Sequence, residues 1–139
     1  MENLLNIGTL NCRGLYNNNL KERQISQDMI DYKLDFLCVQ ETHIRGKGII
    51  ELDSFKYNKY KLYYSGLDES DKTRNFTGVG IICKPDFKCN FTAVSDRICY
   101  IQYKNDKTKS DYNVVIAYAP TLVSSEKNPE CRTEFYDKL

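Results

Sequence analysis

Residues 7–15, Ile-Gly-Thr-Leu-Asn-Cys-Arg-Gly-Leu, and residues 36–42, Phe-Leu-Cys-Val-Gln-Glu-Thr, contain the two strands that decide the fold. The first strand is predicted over residues 4–11, and each strand stops at a polar residue able to hold or orient a cation, Asn11 in one and Glu41 in the other. If the strands are parallel neighbours, these two residues lie at one edge of a sheet. That edge is where α/β proteins bind their ligands.

The segment between the two strands has the composition of a helix. Residues 20–32 are good helix formers, and Ile25, Met29 and Ile30 are expected to cluster on its buried side. The run over residues 36–40 does not alternate, which is typical of a strand buried on both faces. Strand, helix and strand in this order predict a βαβ unit with a right-handed parallel crossover.

The remaining strands are predicted to add antiparallel to this unit. A polar, glycine-containing loop begins at Arg45, and a helical pattern spans residues 130–139 with apolar residues at positions 135 and 139. The predicted strands cover residues 60–65, 78–83, 97–104 and 112–118.

Composition indicates one domain of 139 residues without a dominant charge. The chain has 20 basic and 19 acidic residues, so its net charge does not indicate a polyanionic partner. The N-terminal residues lack the pattern of a secretory signal, and no segment approaches the roughly 20 apolar residues of a membrane span. We therefore expect an intracellular chain without a membrane partner.

The six cysteines are expected to be free thiols. They form no Cys-x-x-Cys pair, and Cys38 and Cys99 lie inside apolar strand patterns. Buried thiols of this kind are typical of a reducing compartment, so no disulfide-linked partner is expected. Zinc is disfavoured because His43 is the one imidazole that could supplement the thiols. His43 itself is interpreted as a solvated loop residue.

Five short motifs in order resemble the endonuclease/exonuclease/phosphatase superfamily. The closest resemblance is to the apurinic/apyrimidinic-type endonuclease domains of non-LTR retrotransposons and to the craniofacial development protein family. The motifs are Thr-Leu-Asn-Cys-Arg-Gly-Leu at 9–15, Val-Gln-Glu-Thr at 39–42, Gly-Val-Gly-Ile at 78–81, Ser-Asp-Arg-Ile at 95–98 and Ala-Tyr-Ala-Pro at 117–120.

This resemblance implies a metal-dependent phosphodiesterase that nicks DNA, in the nucleus for the intact enzyme. Glu41 matches the metal-binding glutamate of the family, Asn11 the asparagine of its metal and phosphate site, and Tyr118 the tyrosine that hydrogen-bonds the scissile phosphate. Mg²⁺ is the implied ion, with Mn²⁺ as a substitute, because a hard cation needs one or two carboxylates besides water and substrate phosphate. Arg13 and Arg97 are weaker candidates for contacts with nucleic-acid phosphate, since an arginine is more often solvated or in a structural ion pair.

Two motifs of the family's later half are out of place in this chain. Residues 111–113 spell Asp-x-Asn but precede Tyr118, and residues 95–97 have arginine where the family's Ser-Asp-His motif has histidine. The sequence therefore predicts an α/β fold that is the N-terminal part of a four-layer α/β sandwich, truncated at the C-terminus. Its sheet is expected to be mixed, with flanking helices and the second sheet missing.

Three functions remain open at this point. The first is the N-terminal part of a Mg²⁺-dependent DNA endonuclease, and the second is an inactive remnant with at most metal or protein binding. A third is an RNA or small-molecule phosphoesterase of the same superfamily. Because a sheet without its partner exposes an apolar face, the isolated chain is also expected to be poorly soluble and to self-associate.

Overall fold

The first three elements form a parallel βαβ unit, as the sequence predicts. The computed structural model describes residues 4–15, 17–73, 76–120 and 135–138, beginning with β1 (Ile7–Asn11), α1 (Asn19–Asp31) and β2 (Phe36–Gln40). Strands β1 and β2 pair in parallel, with Asn11 opposite Gln40. Helix α1 begins where the side chain of Asn18 accepts a hydrogen bond from the backbone N–H of Lys21 at 3.1 Å.

Three antiparallel strands complete the first sheet. They are β3 (Lys47–Glu51), β4 (Lys61–Ser65) and β5 (Val79–Cys83), and the strand order is β1-β2-β5-β4-β3. Strand β5 therefore lies beside β2 and is buried along its whole length. The sheet is mixed, because only β1 and β2 are parallel.

The expectation that the second sheet is missing is wrong. Strands β6 (Cys89–Ser95), β7 (Ile98–Lys104) and β8 (Asp111–Ala117) form a separate antiparallel sheet in the order β6-β7-β8. Strands β7 and β8 were expected to extend the first sheet, but their alternating apolar residues instead cover its inner face. The apolar face that was expected to be exposed is thus largely buried.

The core between the two sheets is built from apolar residues on facing strands. Phe36 of β2 contacts Tyr103 of β7 with ring centroids 5.6 Å apart, and Tyr63 of β4 contacts Phe91 of β6 at 5.4 Å. Burial of such aromatic side chains is a large favourable contribution to folding. Buried members of this core are Phe36, Cys38, Tyr63, Val79, Ile81, Cys83, Cys99, Ile101, Tyr103, Val114 and Ile116.

A second core lies between α1 and the opposite face of the first sheet. Leu37 and Val39 of β2 point to this side, which confirms that β2 is buried on both faces. Ile25 and Met29 of α1 are 2% and 1% exposed, as predicted. Ile30 is 36% exposed, so its predicted burial is wrong, because it lies one position past the stripe that faces the sheet.

The two strands that sequence reasoning missed, β3 and β6, both lie at sheet edges. Strand β3 falls in the predicted loop after Arg45, and its residues alternate between exposed and half-buried. An edge strand covered on one side carries a weak apolar pattern. In the predicted helix over 130–139, residues 135–138 are helical, and the others lie outside the described residues.

Five cysteines lie in the described part of the chain, and all five are free thiols. Cys38 and Cys99 are buried in the core between the sheets, as their apolar surroundings predict. Among the described residues, no helix combines the length and apolar character needed to cross a membrane.

Replacing Met29 by alanine is expected to lower the free energy of unfolding by about 2–5 kcal/mol, because a fully buried side chain leaves a cavity between α1 and the sheet. Ile30→Ala is the matched control on the same helix and should change stability by no more than about 0.5 kcal/mol. Urea unfolding of both variants measures the difference. Equal losses would contradict the packing described for α1.

Candidate metal site

Three strand ends bring Asn11, Glu41 and Tyr118 together at one edge of the molecule. The side-chain amide of Asn11 donates a hydrogen bond to Oε2 of Glu41. The hydroxyl of Tyr118 donates to the same oxygen at 2.7 Å. The partners of Glu41 are 30 and 77 residues away in sequence, and Tyr118 follows β8 of the second sheet. The predicted proximity of Asn11 and Glu41 is therefore confirmed.

The backbone around Glu41 adopts a conformation that side chains usually avoid. Glu41 has φ +56° and His43 has φ +57°, both in the left-handed region. Such residues cost free energy and concentrate at functional sites. The segment is held by Gly78, whose carbonyl accepts a hydrogen bond from the N–H of Thr42 at 3.1 Å. Gly78 has φ +102°, and a Cβ there would lie 2.3 Å from Oγ1 of Thr42, so this close approach requires glycine.

Asn11 acts both as a turn residue and as a partner of Glu41. Its side-chain carbonyl accepts a hydrogen bond from the backbone N–H of Arg13 at 3.1 Å, while its amide nitrogen donates to Glu41. Arg13 has φ +48° and an exposed side chain beside the site. The tight turn thus fixes the orientation of the Asn11 amide and leaves the Arg13 guanidinium at the rim.

Lys21 of α1 stabilises the turn at residues 12–14, which follows Asn11. Its Nζ donates to the carbonyl oxygens of Cys12 at 2.7 Å, Gly14 at 2.8 Å and Arg13 at 3.3 Å. An ammonium group offers three donors, and three carbonyls converge on it here. Sequence reasoning missed Lys21, because a lysine in the first turn of a helix carries no pattern that distinguishes it from a solvated one.

Hydrogen bonding favours the ionised form of Glu41. The donors Asn11 and Tyr118 hold the pKa of its carboxyl below the usual range, and nearby His43 and Arg13 act in the same direction. Burial raises the pKa of the Tyr118 phenol, and the hydrogen bond to Glu41 and the negative charge of that carboxylate raise it further. Tyr118 is thus a protonated donor and Glu41 an anion at neutral pH.

His43 is half-buried, with 27% of its side chain exposed, so its interpretation as a solvated loop residue holds only in part. Its ring packs against Phe76 with centroids 6.0 Å apart, and Nδ1 lies on the side of Gly14. Its Nε2 is buried, has no hydrogen-bond partner among the described residues, and lies 4.0 Å from Oε1 of Glu41. The imidazole therefore belongs to the site.

Arg97 and the Asp-x-Asn triplet at 111–113 differ in how close they lie to Tyr118. Arg97 contacts Tyr118, with its guanidinium carbon 5.5 Å from the centre of the tyrosine ring. Asp111 begins β8, whereas Tyr118 follows its last residue, so the Asp-x-Asn triplet at 111–113 lies near the far end of a strand of about 20 Å. In the part of the chain that the structure describes, this triplet therefore lies too far from Tyr118 to contribute a side chain to the site around Glu41.

The donor set around Glu41 fits a hard divalent cation. Oε2 accepts both hydrogen bonds. Oε1 lies 4.0 Å from the buried Nε2 of His43, which is beyond hydrogen-bond distance. No cluster of three His, Cys, Asp or Glu side chains occurs in the part of the chain that the structure describes. An ion here would therefore bind through Glu41, with Asn11, water and substrate completing its surroundings, which is the manner typical of Mg²⁺.

Comparison with known proteins assigns no family to the chain. It matches no protein-family model, and no curated protein matches it.

Tyr118→Phe is expected to raise the pKa of Glu41 towards its ordinary value, because the variant removes one of the two donors to Oε2. In the native protein the folded pKa lies below the unfolded one. The ionised carboxylate therefore contributes stability that is lost as the pH falls through the folded pKa. In Tyr118→Phe this contribution should be smaller, and its loss should be complete at a higher pH. A ¹³C NMR titration of the Glu41 carboxyl measures the shift.

Tyr57→Phe is the control for this titration, because Tyr57 is 89% exposed. It should leave the Glu41 pKa unchanged. The same Glu41 pKa in the native protein and in Tyr118→Phe would show that the hydroxyl does not hold the carboxylate in solution.

Proposed function

We propose that the chain carries the metal-binding residues of a Mg²⁺-dependent DNA endonuclease that hydrolyses phosphodiester bonds. One observation supports this most strongly: Asn11 and Tyr118, from different sheets, donate to the same carboxylate oxygen of Glu41. These are the three residues that the resemblance implies for the metal and phosphate site. A glutamate that is simply solvated at a strand end bonds to water, whereas Glu41 accepts hydrogen bonds from two side chains that are distant in sequence.

Each residue has a defined part in this proposal. Glu41 would hold the cation through Oε1, the oxygen that lies 4.0 Å from Nε2 of His43, while Asn11 and Tyr118 keep the carboxylate ionised and oriented through Oε2. When bound there, a Mg²⁺ ion would supply Lewis-acid chemistry, since it can polarise a phosphoryl oxygen and neutralise charge that develops on a leaving oxygen. Arg13, exposed beside the turn that follows β1, is free to contact a backbone phosphate of the substrate.

Tyr118 has one proton and two candidate acceptors. A phenol donates one hydrogen bond, so the hydroxyl serves either Oε2 of Glu41 or a substrate phosphate. A phosphate that takes this hydrogen bond would leave Asn11 as the remaining donor to Oε2.

The same family resemblance implies the complete fold of the enzyme and the place where it acts. The layers of α1, the first sheet and the second sheet would belong to a four-layer α/β sandwich. With DNA as substrate, the resemblance implies a nuclear site of action for the intact enzyme.

A second candidate function is metal or protein binding without hydrolysis. The position of residues 111–113, near the far end of β8, favours it, because general acid-base catalysis needs its groups within hydrogen-bond reach of the reacting atoms. Arg97 stands where the family's Ser-Asp-His motif has histidine, and a guanidinium is a hydrogen-bond donor without an acceptor atom. Metal binding and hydrolysis must therefore be measured separately.

Glu41→Gln is expected to weaken Mn²⁺ binding by more than about tenfold, because the amide lacks the charge that holds the ion. Electron paramagnetic resonance of free Mn²⁺ measures this binding on the full chain. Glu51→Gln removes an exposed glutamate of β3 and should bind Mn²⁺ as the native chain does. Native affinity in Glu41→Gln would contradict the proposal.

Hydrolysis is tested with supercoiled plasmid and Mg²⁺, with an RNA strand and a small phosphodiester as parallel substrates. Nicking of plasmid that is lost in Glu41→Gln but kept in Glu51→Gln supports the endonuclease. Mn²⁺ binding through Glu41 without cleavage of any substrate supports the second candidate function.

A further inference from the structure

The turn at residues 95–97, between β6 and β7, is fixed to the first sheet. Oγ of Ser65 donates to the carbonyl of Ser95 at 2.6 Å, and Oγ1 of Thr77 donates to Oδ2 of Asp96 at 2.6 Å. The N–H of Gly78 donates to the carbonyl of Asp96 at 3.0 Å. Ser65 is buried, as is Gly78, so these contacts fix the turn where the two sheets meet.

The other side of this turn holds Tyr118 at three points. The N–H of Tyr118 donates to the carbonyl of Arg97 at 2.8 Å, and Nη1 of Arg97 donates to the carbonyl of Tyr118 at 3.2 Å. The guanidinium also lies over the tyrosine ring, 5.5 Å from its centre. Arg97 thus restrains both the backbone and the ring of the residue whose hydroxyl reaches Glu41.

The segment at 77–78 also holds the two residues that follow Glu41. Besides the contact of Thr42 with Gly78, the N–H of His43 donates to the carbonyl of Thr77 at 2.9 Å. Glu41 is therefore connected to the 95–97 turn along two routes. One runs through its own backbone and residues 77–78, and the other runs through the hydroxyl of Tyr118.

We propose that Arg97 is a positioning residue of the metal site, which fixes the Tyr118 hydroxyl on Glu41 while Asp96 anchors the turn to the first sheet. The inference rests on the proposed function, because it concerns how that site is held. The ion pairs of the described residues involve Arg23, His43 and Lys84 rather than Arg97. Arginine suits this role because its planar group stacks on a ring and donates to a carbonyl at once.

The test compares Mn²⁺ binding and ¹⁹F NMR spectra of full-length variants labelled with 3-fluorotyrosine. Arg97→Met should weaken Mn²⁺ binding about tenfold, the scale typical of residues that orient a metal ligand. It should also move the resonance of Tyr118, which Tyr118→Phe identifies by its disappearance. Arg97→Lys keeps the charge without the planar group and should recover part of both effects.

A double-mutant cycle separates positioning from general stability. If Arg97 acts through Tyr118, then Arg97→Met should have little further effect on Mn²⁺ affinity in the Tyr118→Phe background. Arg45→Met is the matched control, because Arg45 also donates to backbone carbonyls, those of Asp71 and Thr73, at a different place. It should change neither Mn²⁺ affinity nor the Tyr118 resonance.

Native Mn²⁺ affinity in a folded Arg97→Met variant would overturn the inference, as would full additivity with Tyr118→Phe. If Arg97→Met does not fold, an Arg97→Lys variant identical to the native chain in both readouts would overturn it instead. Failure of the proposed function looks different, because Glu41→Gln would then bind Mn²⁺ like the native chain. In that case a Tyr118 resonance unmoved by Arg97→Met would still overturn the positioning role.

Discussion

The hydrogen bonds that Asn11 and Tyr118 donate to one oxygen of Glu41 constrain the whole arrangement of the two sheets. Asn11 reaches Glu41 because β1 and β2 are parallel neighbours that end together. Tyr118 reaches it only if the second sheet packs on the first in one orientation, since Tyr118 follows the last strand of that sheet. The core between the sheets therefore does more than stabilise the fold, because it determines whether the site exists.

A small number of buried polar contacts turns this packing into a defined geometry. Glu41 stands in a left-handed conformation that costs free energy, and backbone hydrogen bonds to Thr77 and Gly78 hold the residues that follow it. The same two residues contact Asp96, and the next residue, Arg97, holds Tyr118. Strain at the glutamate is thus supported by contacts from the neighbouring strands, as expected for a preorganised binding site.

The sequence predicts the parts of this arrangement that local pattern controls. The run over 36–40 coincides with β2 in full, because a strand buried on both faces is continuously apolar, here in all residues but Gln40. Edge strands β3 and β6 are not predicted, because much of their surface is solvated and their sequences therefore carry a weak apolar pattern. The partial burial of the His43 ring involves Phe76 and Gly14, which are far from it in sequence. The contact between Tyr118 and Glu41 spans 77 residues, and only the resemblance to a family pointed to it.

If Glu41, oriented by two donors on Oε2, holds a divalent cation at the edge where the two sheets meet, crystals of the chain grown with Mn²⁺ will reveal the ion by anomalous diffraction. We expect an anomalous peak within coordination distance of the Glu41 carboxylate, and the loss of that peak in Glu41→Gln crystals. Ordered Mn²⁺ elsewhere in the crystal, with no peak beside Glu41, would contradict this expectation.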